Sequence, residues 1–224
     1  MSPAFSKNYQ AGFTLAEMIT VVAIIIIMTG VVLANFPDFR DRSSLELVAQ
    51  EVALVIRQAQ AYGSQTRAVL GSSSTAFPSY GIYFNVNATN PKFKDPKSFR
   101  LFADVPGLGV TGRYSDAEPP AGPTCGSALA ECREIYNLEG GITIAKLETC
   151  PSTGVCTDIT STNALNVVFT RPNPEAQFTS DSGADLCGGT CSYAKITLSS
   201  ARTAATQCVY VWTTGHIFTK PSCP

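Results

Sequence analysis

Hydrophobic and polar positions divide the chain into three stretches with different periods. Residues 18–37 carry no formal charge over twenty consecutive positions and include Ile24, Ile25, Ile26 and Ile27. At ~1.5 Å per residue in a helix, such a run reaches ~30 Å, the thickness of a bilayer's hydrocarbon core. Gly30 weakens a helix locally, and Pro37 removes one backbone donor and disfavours helix at Phe36. A kink or melted turn is therefore expected between positions 30 and 39. The charged cluster Asp38, Arg40, Asp41 and Arg42 then marks a water boundary.

From Ser43 the period becomes amphipathic. Leu45, Val48, Val52, Val55, Ala59 and Tyr62 are spaced three and four apart, with Glu46, Gln50, Arg57, Gln58 and Gln60 between them. This is one apolar stripe of a helix that ends at Gly63. Ser43 or Ser44 is expected to cap a restarted helix, with Glu46 in the capping-box position. Residues 13–62 would span ~75 Å if wholly helical. Beyond them, alternation of apolar with polar residues predicts half-buried antiparallel strands at 81–86, 99–103, 142–147, 165–170, 193–198 and 208–212. A closing hairpin is expected at 213–218. Spacers rich in Gly, Pro and Ser occupy 72–74, 104–125 and 171–174.

The fold class that follows is α+β: a long N-terminal helix, half of it transmembrane, packed on a C-terminal antiparallel β-sheet head with disulfide-stapled loops. The expected division is a short polar leader over 1–12, a transmembrane helix over 13–37, an amphipathic helix over 38–64, and a β-rich head over 65–224. Composition changes this picture little. Sixteen basic and seventeen acidic residues give a net charge of −1. Loss of residues 1–12, which hold only Lys7, leaves 15 against 17, no global reason to bind a polyanion.

Cysteine is more informative. Cys125, Cys132, Cys150, Cys156, Cys187, Cys191, Cys208 and Cys223 all lie beyond the apolar run. An even number confined to that side reads as disulfides made in an oxidising compartment. Eight cysteines allow 105 pairings, and their grouping favours 125–132, 150–156, 187–191 and 208–223. A zinc site through Cys187 and Cys191 is the rival, but the spacing is no Cys-x-x-Cys knuckle and His216 is the only histidine. No cofactor or metal is expected.

One acidic side chain at the mouth of the apolar run has no explanation in a plain anchor. Glu17 stands one residue before it, in Gly12-Phe13-Thr14-Leu15-Ala16-Glu17, and a carboxylate beside a membrane helix usually has a partner. Gly-Phe-Thr-Leu-x-Glu ahead of an apolar helix resembles the N-terminus of type IV pilins and type II secretion pseudopilins. The resemblance implies a membrane peptidase that cuts between Gly12 and Phe13, a mature chain starting at a methylated Phe13, and Glu17 as its fifth residue. It implies assembly into a filament, with Glu17 of one copy meeting the α-ammonium of Phe13 of another. Its implied partners are other pilins, the prepilin peptidase, an inner-membrane assembly platform and the membrane itself. Its implied location is the cytoplasmic membrane for the precursor, then a filament at the cell surface. In such filaments the zone around Gly30 and Pro37 is often unwound. Ala16 departs from the larger aliphatic usual there, and Pro37 lies slightly late.

The helix pattern over 47–61 resembles that of H-type minor pseudopilins, and Cys208 with Cys223 resembles the disulfide-bounded C-terminal loop of many pilins. Two other readings of the N-terminus are a plain signal anchor and a secretory signal peptide cut after Val32-Leu33-Ala34. The mature N-terminus separates them: Phe13, Met1 or Ser2, or Asn35. A catalytic site is not expected, since His216 is alone and no nucleophile elbow or nucleotide fingerprint is present. Asp181 with Asp185, and Glu131 with Glu134, read as solvated loop charges, with calcium at Asp181 and Asp185 as a lesser reading. DNA capture is the other functional class, through Arg202, Lys220 and Lys195 beside Tyr210 or Trp212; nucleic acid is not the expected partner.

Overall fold

The computed structural model describes residues 12–65, 69–70, 75–86, 95–106, 111–115, 125–127, 130–161, 164–173, 175–221 and 223. The leader before Gly12, the 72–74 spacer and most of the 104–125 loop lie outside the described residues. Two compact units are present, one up to Arg40 and the other Asp41–Pro224.

One helix, α1, runs Leu15–Ser64 with Pro37 inside it. The melted turn expected around Gly30 and Pro37 is absent, and so is the restart capped by Ser43 or Ser44. Pro37 removes one hydrogen bond, while the helical bonds before and after it are kept. Gly30 has nothing within 4 Å of where a Cβ would stand, so no neighbour forces a break there. Gly63 does not close the helix either. It lies within α1, and a Cβ there would press on the backbone carbonyl of Phe169, so the residue serves a close approach.

The head holds twelve strands among the described residues. Val69–Leu70 (β1) and Thr75–Ala76 (β2) form a small hairpin. The first large sheet has the order β12-β11-β10-β6-β7, from Ile217–Pro221 (β12), Thr206–Trp212 (β11), Cys191–Ser200 (β10), Ile142–Pro151 (β6) and Thr157–Asp158 (β7). The second has the order β5-β4-β3-β8-β9, from Cys132–Asn137 (β5), Ser98–Asp104 (β4), Ser79–Phe84 (β3), Leu165–Phe169 (β8) and Ala176–Thr179 (β9). Every pairing is antiparallel.

The six expected strands all appear, with shifted ends. Alternation missed β1, β2, β5, β7 and β9: β5 (Cys-Arg-Glu-Ile-Tyr-Asn) carries two charges, β9 has only four residues, and β1, β2 and β7 have two each. The predicted stripe is the contact face of α1. Leu45, Val48, Val52, Val55 and Ala59 are buried, and Ala49, Ala53 and Ile56 are buried beside them. The face is wider than one stripe because both sheets supply side chains to it. Ile82, Phe84, Leu101 and Val167 come from one, and Leu147, Ile196, Val209 and Val211 from the other.

The second sheet is buried on its opposite face as well. Tyr83, Phe102, Cys132, Ala164 and Val168 cluster there with Tyr114. Arg100 donates to the Tyr114 hydroxyl at 2.6 Å, and the Tyr114 N–H donates to Asn166 at 3.0 Å. Being covered twice explains why every residue of β4 is buried and why period-two alternation understates that strand. Gly81 belongs to the same crowding: a Cβ would lie 2.7 Å from the Val167 carbonyl.

The eight cysteines form four disulfides, Cys125–Cys132, Cys150–Cys156, Cys187–Cys191 and Cys208–Cys223. Each links near neighbours in sequence, as their grouping suggests.

Candidate processing and assembly site

Gly12, Phe13 and Thr14 precede α1 in non-helical backbone. Phe13 is 80% exposed, and nothing stands within 4 Å of the Cβ position at Gly12. Gly12 and Phe13 thus lie outside the helix, with the Phe13 side chain exposed.

Thr14 is the helix N-cap. Its Oγ1 accepts the Glu17 N–H at 3.3 Å, and its carbonyl accepts the Met18 N–H at 3.2 Å. The restart expected at Ser43 is absent because α1 is continuous there. Thr14-x-x-Glu17 has capping-box spacing, and the half of the box in which Thr14 accepts the Glu17 N–H is formed at the head of the apolar run. Its signal was already in the sequence, a threonine three residues before a glutamate ahead of a hydrophobic stretch. Glu17 thereby gains a local role, since a carboxylate in the first turn also suits the positive end of the helix dipole. Inside the apolar run, Thr20 donates to the Glu17 carbonyl at 2.9 Å and Thr29 to the Ile25 carbonyl at 2.7 Å. Both hydroxyls are satisfied within the helix, which lets an apolar span carry them. The large apolar side chains from Met18 to Phe36 are all exposed. The helix is long and apolar enough to cross a membrane.

Residues 7–33 match a family model described as the prokaryotic N-terminal methylation motif. The N-terminal segment is a pilin-type class III signal. No curated protein and no solved structure matches the chain. The methylation motif covers Gly12, Phe13 and Glu17 together with most of the apolar run. With the membrane-capable helix, it is consistent with a membrane-anchored precursor of the pilin or pseudopilin kind and points to a structural protein.

Several of the residues proposed for other chemistries have partners of their own within the head. His216 is exposed in a turn, its ring 5.4 Å from that of Phe218. Asp181 accepts the Tyr83 hydroxyl at 3.2 Å; burial first, then that carboxylate, pushes the Tyr83 phenol well up from its ordinary value. Asp185 accepts the backbone N–H of Cys187 at 2.8 Å and of Gly189 at 3.3 Å, folding its own glycine loop. Glu131 is not a solvated charge: it is fully buried and accepts the Ser115 N–H. Glu134 is exposed and accepts the Tyr136 hydroxyl at 2.6 Å. Among the described residues, no group of three or more His, Cys, Asp or Glu is arranged to hold a metal ion.

Of the cations suggested for a DNA-binding face, Lys195 is withdrawn from the surface. Lys195 is buried and its Nζ lies 2.8 Å from Glu148, whose other oxygen is 2.8 Å from Lys146. The Glu148 carboxylate sits first in holding the Lys146 ammonium above its usual range. Arg202 approaches Asp41 at 3.9 Å, and Lys220 lies on β12 opposite Cys208. Tyr210 is flanked by Tyr193 at 5.7 Å and stacked on Phe218 at 4.9 Å. Tyr210 is also buried, and Trp212 lies 5.0 Å from Tyr193.

Proposed function

We propose that the chain is a structural subunit of a type IV pilus-like filament, cut between Gly12 and Phe13 and assembled through its N-terminal helix. The observation that carries the reading is the methylation motif standing where the backbone passes from open coil into an apolar helix. Cleavage there would create an α-ammonium on Phe13 at the positive end of α1. The helix dipole opposes a cation at that end, so a carboxylate is needed more there than elsewhere. Glu17 of a neighbouring copy supplies it, and their attraction strengthens as packed apolar helices exclude water. The same pairing selects the axial stagger between copies.

Partners on this reading are other pilins, the prepilin peptidase and an inner-membrane assembly platform, and the mature subunit resides in a surface filament. The zone around Gly30 and Pro37 is the segment of α1 best placed to unwind on assembly, since it lacks one backbone donor. The H-type likeness belongs to the same proposal and rests on the helix pattern over 47–61. Mass spectrometry of the mature N-terminus in purified filaments tests the whole: a methylated Phe13 is expected. A chain beginning at Asn35, or at Met1 or Ser2, would end the proposal.

A further inference from the structure

The four disulfides differ in how far their sulfurs stand from solvent. Cys132 is 1% exposed, and Cys150 and Cys208 are fully buried. Their partners Cys125, Cys156 and Cys223 are half-buried. The Cys208 sulfur has a polar neighbour in the Thr197 hydroxyl at 3.3 Å, but no exposure. Cys187–Cys191 is the one bond of the four in which neither cysteine is buried. Gly188, Gly189 and Thr190 between them are exposed, and nothing lies within 4 Å of where a Cβ would stand at either glycine. A cleft of about 450 Å³, whose lining includes Phe178, Asp185, Cys187, Gly189 and Cys191, leaves room beside the bond.

Access governs disulfide exchange in two ways. A thiolate attacks one sulfur, and the other sulfur departs as a second thiolate. In three of the pairs the buried sulfur is closed to attack. Attack on its half-buried partner instead expels a thiolate into the interior, where an unsolvated anion is costly. At Cys187–Cys191 either sulfur can be reached, and either departing thiolate meets water. The loop does not depend on the bond for its shape. Asp185 accepts the N–H groups of Cys187 and Gly189, and the Cys187 carbonyl accepts the Thr190 N–H at 2.9 Å. Leu186 donates its N–H to Phe178 at 2.9 Å and packs against the main core, and β10 begins at Cys191 itself. With the bond open, both cysteines are therefore still held near each other.

We infer that Cys187–Cys191 is a thiol–disulfide exchange site, opened reversibly by an external dithiol while the other three bonds stay closed. One thiolate of the dithiol bonds to one cysteine sulfur, the Cys187–Cys191 bond breaks, and the departing thiolate takes a proton from water. The second thiol of the reagent, as its thiolate, then attacks the mixed bond. It closes the reagent's own disulfide and releases the other cysteine, which is protonated in turn. The chain gains two electrons and two protons, and the dithiol loses them. A dithiol is the class required because the freed cysteine, held close by the loop, re-expels a monothiol before a second one arrives. The exchange involves the head alone and goes beyond the filament reading, on which it does not depend.

The test is a brief exposure of the full chain, in detergent and without denaturant, to dithiothreitol, followed by iodoacetamide and mass mapping of the labelled cysteines. No cysteine is free beforehand, so every label reports an opened bond. Labels on Cys187 and Cys191 are expected about 10-fold ahead of those on the other six, with near-ultraviolet circular dichroism unchanged over the same interval. Reduced glutathione at equal thiol concentration should label the two about 10-fold less than dithiothreitol does. Oxidised glutathione added before the iodoacetamide should restore the bond and remove the labels. Labelling of any other pair as fast as this one overturns the inference, and so do all eight appearing together, as global unfolding would give. Equal labelling by glutathione, or a bond that does not re-form, overturns it as well.

Discussion

Glu17 has two candidate duties, capping partner of Thr14 and counter-charge for Phe13 of a neighbouring subunit, and one substitution separates them. Glu17→Gln keeps the length and the capping-box chemistry, since glutamine serves at that position as glutamate does, but it removes the charge. Thr14→Ala does the reverse, removing the hydroxyl that accepts the Glu17 N–H at 3.3 Å and leaving the carboxylate. Loss of a threonine cap costs about 0.5–2 kcal/mol of helix stability, and a long apolar helix held by a bilayer should absorb it. A hydrogen bond to a charged group contributes about 1.5–3 kcal/mol net. Subunit junctions lacking it should therefore be populated roughly 10- to 100-fold less. The assay is the amount of subunit in sheared filaments relative to membranes, with mass spectrometry confirming that Phe13 is the N-terminus in each case. Glu17→Gln should be cut normally and incorporated poorly, while Thr14→Ala should be cut and incorporated nearly as the parent. If Glu17→Gln assembles like the parent and Thr14→Ala does not, the carboxylate is a capping group and the counter-charge argument is wrong.

Three further outcomes follow from the head. Glu148→Ala should lower the stability of the folded chain by about 3–5 kcal/mol, because it strips a buried Lys195 of its carboxylate. Lys146→Ala, at the half-exposed end of the same group, should cost no more than about 1 kcal/mol; chemical denaturation midpoints compare the two. Burial pushes the Asp104 carboxyl up, against the Gly112 N–H that favours its charge. A carboxyl raised on folding contributes most below its unfolded value near ~3.9 and loses that contribution as pH rises through the folded one. Asp104→Asn should therefore be more stable than the parent at pH 7 and show a flatter midpoint-against-pH curve above about pH 4; a less stable variant at pH 7 refutes the sign. Replacing Cys208 and Cys223 together by Ser opens a 15-residue separation and should cost about 3 kcal/mol, whereas opening Cys187–Cys191, four apart, should cost nearer 2 kcal/mol in thermal or denaturant unfolding.

What was legible from the chain alone is what short-range chemistry decides. An uninterrupted apolar run reads as a membrane-capable helix whatever the remainder does, and Gly12 through Glu17 carry the methylation motif within six residues. The stripe from Leu45 to Ala59 follows from helical period, and the disulfides could be anticipated because each joins cysteines no more than 15 residues apart. Tertiary structure decided whatever depends on residues distant in sequence. It placed Lys195 against Glu148 rather than in a basic face, buried Glu131, and split the strands into two sheets that both pack on α1. It also carried α1 through Gly30 and Pro37, where local preference alone argues for a break, because one missing donor is a small loss within a 50-residue helix. Period and motif report what a segment prefers, whereas burial and pairing depend on which segments it meets.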